Sequence, residues 1–283
     1  MPTDFAQRFS IEATRPSAEE IAALADILPP ATPIYFSAVP TITLPEVVAA
    51  AASLRKSGLE PVVHVAARRF RSAADLRDLI ARLCGEAEVK RLLVIGGDAD
   101  AAGPFPDALA VILKGGLRAA GIEEIGIAAY PEGHPRIAPA RLEASLDEKI
   151  AAAAAQDLRV HLVSQFSFSP ERVLTWLTQL RACGITRPVK IGMAGPTSVP
   201  ALFRYAKRCG VAASLRGLVS GTAASLVGHI GPDRLIATLA AAADLGDVAA
   251  HYFSFGGTIA TARYACEAAH GKHGCGRAMA HSN

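Results

Sequence analysis

The feature that most constrains the fold is an eightfold alternation of short apolar runs with helix-like segments. The runs are rich in β-branched residues and end in turn residues, as strands do, and the segments between them show helical periodicity. The eight candidate strands are 8–14, 33–39, 61–67, 91–98, 124–130, 159–166, 189–195 and 250–257. This alternation predicts an α/β fold, a closed parallel (β/α)8 TIM barrel. An open doubly wound sheet is the alternative, but it would need a glycine-rich phosphate turn where the chain reads IEATRP.

The segments between the strands carry helix start and stop signals. Thr43 and Ser169 each precede a proline-containing first turn, where a hydroxyl caps exposed backbone N–H groups. Glycines expected to end helices in a left-handed conformation are Gly58, Gly121, Gly184 and Gly210. Extra helices are predicted between the seventh and eighth strands, at 197–208, 219–228 and 232–245. We expect one barrel domain over 1–283, with a short tail from about residue 270.

The amino-acid composition argues against several classes of protein. Apolar residues make up 51% of the chain, which is enough for a large core, and the net charge is only +3. No basic run exceeds a pair, which argues against nucleic acid as a partner. Five scattered cysteines suggest a reducing compartment, and no apolar run reaches the roughly 18 residues of a membrane span. We therefore expect a cytoplasmic protein without a membrane partner, and its homo-oligomeric state stays open.

Polar residues at strand ends are the candidates for chemistry, because barrel active sites lie at the carboxyl ends of the strands. Glu12 shares one strand face with Ser10 and Thr14. If that face points inward, partial desolvation should raise the pKa of Glu12 and suit it to donate a proton. A solvated glutamate at the rim is the alternative.

Three further strand-end residues have structural alternatives. Asp98 follows two glycines that allow close approach of a ligand, but it could equally cap the next helix. Gln165 lies among apolar residues and would need a partner, which a neighbouring backbone group could supply. His64 lies within an apolar strand, where a core histidine is the more common case.

Two weaker signals concern ligands near the C-terminus. Gly256 and Gly257 open a helix after the last strand, a place where barrels often bind phosphate. A metal site is suggested by the spacing of Cys266, His270, His273 and Cys275. The segment is glycine-rich and terminal, so a frayed tail is the better interpretation and no metal is predicted.

Six strand-end segments occur in a recognisable order: SIEATRP, HVAA, IGGD, AAYPEGHP, SQFSF and HYFSF. In this order they resemble the 5,10-methylenetetrahydrofolate reductase family over Ser10 to about Phe255. AAYPEGHP is the most specific of them, and the others contribute through order and spacing. The resemblance implies an oxidoreductase that interconverts 5,10-methylenetetrahydrofolate and 5-methyltetrahydrofolate by hydride transfer through bound FAD, with NADH or NADPH as the donor.

Site residues follow from the resemblance by position. Glu12 matches the general acid that assists opening of the folate ring, and Asp98 matches the aspartate that binds the pterin near the flavin. The folate contacts are assigned to Asp98, Gln165 and Phe166. The flavin contacts are assigned to His64, Gly97, Asp98, Ala129, Tyr130 and His134.

The chain departs from the family pattern mainly around the flavin. Gly96 replaces an arginine, Ala66 and Ala67 replace a threonine and a cysteine, and Ala13 and Thr14 replace an aromatic pair. Lys149 is too far along the chain from Gln165 to match the family's cofactor lysine. Two alternatives to FAD-dependent reduction therefore remain, namely direct hydride transfer from NADH to folate and a folate-binding subunit without catalysis.

Overall fold

The computed structural model describes residues 4–37, 42–100, 103–209, 229–230 and 232–271. The strands are β1 (Phe9–Ala13), β2 (Pro33–Ser37), β3 (Glu60–Ala66), β4 (Arg91–Ile95), β5 (Glu124–Ala129), β6 (Arg159–Ser164), β7 (Val189–Ala194), β8 (Thr197–Ser198), β9 (His229–Ile230) and β10 (Val248–Phe253). β1 to β7 and β10 form a closed barrel in the order β1-β10-β7-β6-β5-β4-β3-β2, with all neighbours parallel. The predicted (β/α)8 architecture and all eight strands are thereby confirmed.

The α-helices alternate with the strands and begin where the sequence signals are. They are α1 (Ala18–Ile27), α2 (Leu44–Lys56), α3 (Ala73–Ala87), α4 (Ala108–Lys114), α5 (Leu117–Ala120), α6 (Pro139–Ala154), α7 (Pro170–Ala182), α8 (Val199–Cys209), α9 (Asp233–Ala241) and α10 (Thr258–Ala269). Thr43 accepts a hydrogen bond from the Glu46 backbone N–H, and the Glu46 carboxylate accepts one from the Thr43 N–H. This capping box satisfies two N–H groups that the first turn leaves without helical partners.

Of the remaining helix predictions, some fall on described residues and can be compared with the structure, and the others do not. Ser169 caps α7 by accepting from the Arg172 N–H, and Gly58, Gly121 and Gly184 have positive φ angles after helices. Helices expected at 197–208 and 232–245 correspond to α8 and α9. Gly210 and the helix expected at 219–228 lie outside the described residues.

The inside of the barrel is more polar than the aliphatic layers that usually fill this fold. Outward-facing strand residues pack under the helices in the main core, whereas Val62, Leu93 and Val163 form a small apolar group with Tyr35 inside. The buried polar side chains inside the barrel include Ser10, Glu12, His64, His161 and His251. Because an unpaired buried polar group is costly, the partners of these side chains determine what the barrel can do.

No helix of the described residues combines the length and apolarity needed to cross a bilayer.

Candidate active site

Glu12 lies at the end of β1 with its side chain inside the barrel, where the residue is 8% exposed. Its Oε1 atom lies 3.3 Å from His64 Nε2 and 3.4 Å from His251 Nε2. The other ring nitrogen of His251, Nδ1, lies 2.8 Å from Ser10 Oγ. Of the two orientations that the sequence leaves open for the face of Ser10 and Glu12, the inward one is observed, and the carboxylate lies between two histidines.

The predicted direction of the Glu12 pKa shift is wrong. Burial does raise the pKa, but the electrostatic interaction with His64 and the hydrogen bond with His251 outweigh it and lower the pKa to about 2. Burial lowers the pKa of His251, although its hydrogen bond with Glu12 opposes that shift. Glu12 is thus a carboxylate at neutral pH, and a proton that it passes on must first reach it from a neighbouring histidine or from solvent.

Asp98 lies on an exposed loop beyond β4, which ends at Ile95 rather than at the predicted residue 98. The chain turns at Gly97, whose φ of +86° is left-handed and whose Cα faces Ala66 so closely that a Cβ would lie 3.1 Å from the Ala66 Cβ. Asp98 is not a helix cap, because α4 begins at Ala108 and is capped by Asp107, which accepts a 2.9 Å bond from the Ala110 N–H. The helix-cap alternative is thereby removed for Asp98.

The AAYPEGHP segment leaves β5 as a turn that brings two rings together. The Tyr130 and His134 rings meet edge to face with centroids 5.1 Å apart. Gly133, at φ +78°, donates from its N–H to Tyr130 O, and His134 Nδ1 accepts from the Arg136 N–H. Burial and the charge of Arg136 lower the pKa of His134, against the opposing charge of Asp98. The loop therefore holds a neutral imidazole within electrostatic range of Asp98.

A contact with the neighbouring loop fixes this turn from outside. Ser167 Oγ donates a 2.6 Å hydrogen bond to Glu132 Oε1, joining the loops that follow β5 and β6. The Ser167 N–H in turn bonds Gly192 O on β7. Tyr130 and His134 are thus held by the prolines Pro131 and Pro135 and by a polar tie to the next loop.

Gln165 and Phe166 follow β6, and the structure gives them different surroundings. Gln165 is half-buried, and its Oε1 accepts a 3.0 Å bond from the Phe166 N–H, so a neighbouring backbone group does satisfy the amide oxygen. Phe166 is only 1% exposed and packs against aromatic side chains rather than facing solvent. Its ring neighbours are Phe168, Phe253 and Phe255, with centroids 4.9–5.7 Å away.

An aromatic wall, defined by Phe166, Phe253, Phe255 and Tyr205, stands beside the carboxylate. Tyr205 of α8 stacks on Phe255 with centroids 4.2 Å apart and planes 15° apart. Phe253 is the β10 residue paired with Glu12 in the strand register, so the wall begins next to Glu12. Flat ligands bind well against stacked rings of this kind.

Sequence reasoning missed His251, Ser10 and the wall as parts of one site. The signal was present, since HYFSF and FSIEA are neighbouring parallel strands in which alternation places His251 beside Ser10. His64 is also deeper than a strand-end contact, because it points at Glu12 inside the barrel. Ala129 is a buried residue at the end of β5.

The C-terminal metal candidates are only partly described. Cys266 Sγ donates to Ile27 O, and His270 Nδ1 lies 2.6 Å from Cys266 O, while His273 and Cys275 lie outside the described residues. Among the residues with described positions, no cluster of three or more His, Cys, Asp or Glu side chains has metal-site geometry.

The residues present fit only part of an FAD molecule. Tyr130, His134 and the open space at Gly96 suit a flat ring system. Next to these residues lie Ala66 and Ala67, whose side chains have no polar atoms that could bind the pyrophosphate of FAD. Arg68, which follows β3, already donates to Gly97 O and Pro106 O.

A closed parallel barrel with a buried, histidine-flanked carboxylate and polar loops at the strand ends defines a barrel enzyme. The family model for methylenetetrahydrofolate reductase matches residues 45–214, more than half of the chain, and the chain belongs to that family. Membership supports a reductase activity on a folate substrate.

Solved structures extend the likeness of the fold to the whole chain. Dihydropteroate synthase from Thermus thermophilus has a TM-score of 0.50 at 16% identity, over 94% of this chain and 92% of that one. A ligand complex of the same enzyme has a TM-score of 0.50 at 14% identity, over 93% and 91% of the two chains. At these identities the likeness shows the barrel fold alone.

Proposed function

We propose that this protein interconverts 5,10-methylenetetrahydrofolate and 5-methyltetrahydrofolate, with NADH or NADPH as the hydride source. The observation that carries this proposal is the buried Glu12 carboxylate held by His64 and His251 beside an aromatic wall, in a member of this family. A binding protein without catalysis would have little use for an acid at this place, where burying a carboxylate is costly.

Glu12 serves the proton transfer. Opening of the folate ring needs a proton at N10 as the C–N bond breaks, and the same proton must leave when the ring closes again. The carboxylate receives this proton from a neighbouring histidine or from solvent and passes it to N10. While it is ionised it also stabilises the cationic iminium at N5.

Asp98 and Gln165 orient the pterin. Asp98 is an exposed carboxylate that can accept hydrogen bonds from a pterin edge. The Gln165 oxygen accepts from the Phe166 N–H, which leaves the amide NH2 group as the donor that the side chain can offer to a pterin. The two residues follow β4 and β6, on either side of the β5 loop, and fix the ring that the aromatic wall covers.

FAD is the cofactor that the family resemblance favours, and its residues here would be His64, Gly97, Asp98, Ala129, Tyr130 and His134. FAD held there would supply an intermediate carrier for the hydride between nicotinamide and folate. A second candidate is direct transfer from nicotinamide to folate. It is favoured by the apolar edge at Ala66 and Ala67 and by the engagement of Arg68 with two backbone carbonyls.

The first experiment is an absorbance spectrum of the purified protein, before and after incubation with FAD and desalting. Flavin bands that NADH bleaches and methylenetetrahydrofolate restores would support the FAD route. A colourless protein that oxidises NADH when methylenetetrahydrofolate is added would support direct transfer. Folate binding without turnover by NADH or NADPH, in either state, would contradict both routes and leave a binding subunit.

Glu12→Gln tests the role of the carboxylate. We expect turnover to fall by about 100-fold or more, as for loss of a general acid–base group, while the dissociation constant for folate changes little. Glu143→Gln, at an exposed helix position, is the matched control and should retain activity. Near-normal turnover by the Glu12 variant would show that the proton travels by another route.

A further inference from the structure

A cavity opens at the end of the barrel opposite the candidate active site, where the strands begin. Its volume is about 400 Å³, and its lining includes Arg8, Arg91, Glu124, Lys190 and Asp247. Because these residues precede or start the strands, the cavity is remote from the loops that carry Asp98, Tyr130 and Gln165. It does not take part in the reaction proposed above.

The charges around this cavity do not balance. Arg8 Nη1 lies 2.8 Å from Asp247 Oδ1, and Arg91 Nε lies 3.4 Å from Glu124 Oε2, so each arginine has a carboxylate partner. Lys190 has none within 4 Å among the described residues. Its ammonium instead lies 5.9 Å from the centre of the Tyr35 ring. Among the lining residues, three cations therefore face two carboxylates, and Lys190 is the cation left over. Outside the lining, Asp4 pairs with Arg8 at 2.9 Å and Arg159 with Glu124 at 3.5 Å.

Lys190 is also half-buried. Burial, together with the charge of Arg91, lowers its pKa to about 8, against the opposing charge of Glu124. An anion bound here would stabilise the charged ammonium of Lys190, because an opposite charge compensates for the hydration lost on burial. The neighbouring Glu124 is already engaged by His161 Nδ1 at 2.7 Å, in addition to Arg91.

The cavity is preformed. Pro29, Pro30, Pro33 and Pro188 line it, and their fixed φ angles limit the loss of entropy when a ligand binds. Its volume lies within the range of small-molecule sites, which is larger than a single inorganic ion needs.

We propose that the cavity at the start of the strands binds a small anionic metabolite, with its phosphate or carboxylate group on Lys190 and Arg91. The remaining volume accommodates a compact polar body such as a three-carbon chain. The site is separate from the folate site, so its ligand acts as an effector or stabiliser rather than as a substrate.

The test uses the whole protein and two probes, inorganic phosphate and glycerol phosphate, with glycerol as the uncharged control. Binding is followed at constant ionic strength by calorimetry and by the NMR signals of the lysine ε-methylene groups. We expect saturable binding of glycerol phosphate in the millimolar range or tighter, and an upward shift of the Lys190 pKa when it is bound.

Lys190→Met should weaken this affinity at least about tenfold, because a charge-assisted hydrogen bond is lost. Lys114→Met, at an exposed position of α4, should leave the affinity unchanged. Lys190→Arg keeps the charge and should retain binding, which guards against a variant that merely fails to fold. Absence of saturable binding, or equal affinity in the Lys190→Met protein, would overturn the proposal whatever the outcome of the folate assays.

Discussion

His251 Nε2 lies 3.4 Å from Glu12 Oε1 across the seam where the last strand of the barrel pairs with the first. The same ring is held at Nδ1 by Ser10, so the carboxylate, the imidazole and the hydroxyl form one chain inside the barrel. The protonation state of Glu12 thus depends on a residue almost at the other end of the sequence.

Replacement of this imidazole should move the titration of Glu12. In His251→Phe the ring shape is retained but the hydrogen bond that lowers the carboxyl pKa is lost, so the pKa of Glu12 should rise from about 2. Infrared or carbon NMR titration of the carboxyl group measures this. His270→Phe, at an exposed histidine, is the control. A carboxyl that titrates at the same pH in both proteins would show that His64 alone sets its state.

The free energy of unfolding at low pH should depend on the ionisation of Glu12. A folded pKa of about 2, below the ordinary value of 4.5, means that the unfolded state binds the proton first as the pH falls. Glu12 therefore contributes stability above pH 4.5 that is lost progressively towards pH 2, with a slope of at most about 1.4 kcal/mol per pH unit.

Urea unfolding of the wild type and of Glu12→Gln, between pH 6 and the lowest pH at which both fold, isolates this contribution. The free energy of unfolding should fall more steeply with acid in the wild type. Glu124 also has a pKa of about 2, chiefly through its hydrogen bond with His161, but it is present in both proteins and cancels. Parallel curves would contradict the lowered pKa of Glu12.

Substitutions of Asp98 and Asp107, both on the loop after β4, should have separate effects on activity and on stability. Asp107→Ala removes the cap of α4 and should cost about 1 kcal/mol of unfolding free energy with little loss of turnover. Asp98→Asn should leave stability within about 0.5 kcal/mol and reduce kcat/KM for folate at least tenfold. Thermal unfolding and steady-state kinetics on both variants decide this, and a reversed pattern would reassign the two residues.

The glycine pair before Asp98 should respond unequally to alanine. At Gly97 the φ of +86° and the 3.1 Å approach to Ala66 both oppose a side chain, so Gly97→Ala should destabilise the protein by about 1–3 kcal/mol. At Gly96 a Cβ would meet no atom within 4 Å and φ is not left-handed, so Gly96→Ala should be neutral or slightly stabilising. Equal unfolding midpoints in denaturant would show that the turn can relax.

The sequence predicted what depends on local pattern. Strand alternation placed Ser10 and Glu12 on one face, and the hydroxyl at Thr43 marked the start of a helix, because both effects involve neighbours a few residues apart. Which way that face points depends on closure of the barrel, so the sequence leaves it open. The sign of the Glu12 pKa shift escaped prediction because His64 and His251 reach it only once the barrel closes. The limit of β4 was also missed, since the left-handed turn at Gly97 ends the strand before Asp98.

The Tyr35 side chain lies inside the barrel between the polar groups near Glu12 and those near Glu124. Its ring packs edge to face on His251 at 4.7 Å and on His64 at 6.2 Å, while its hydroxyl bonds His161 Nε2 at 2.7 Å. The polar groups near Glu12 therefore contact those near Glu124 through this aromatic ring. Among the described residues, no continuous line of hydrogen bonds joins the two groups. A proton therefore has no hydrogen-bonded path between the two ends through the described residues, although the charge of Lys190 at one end still helps to lower the pKa of His251 at the other.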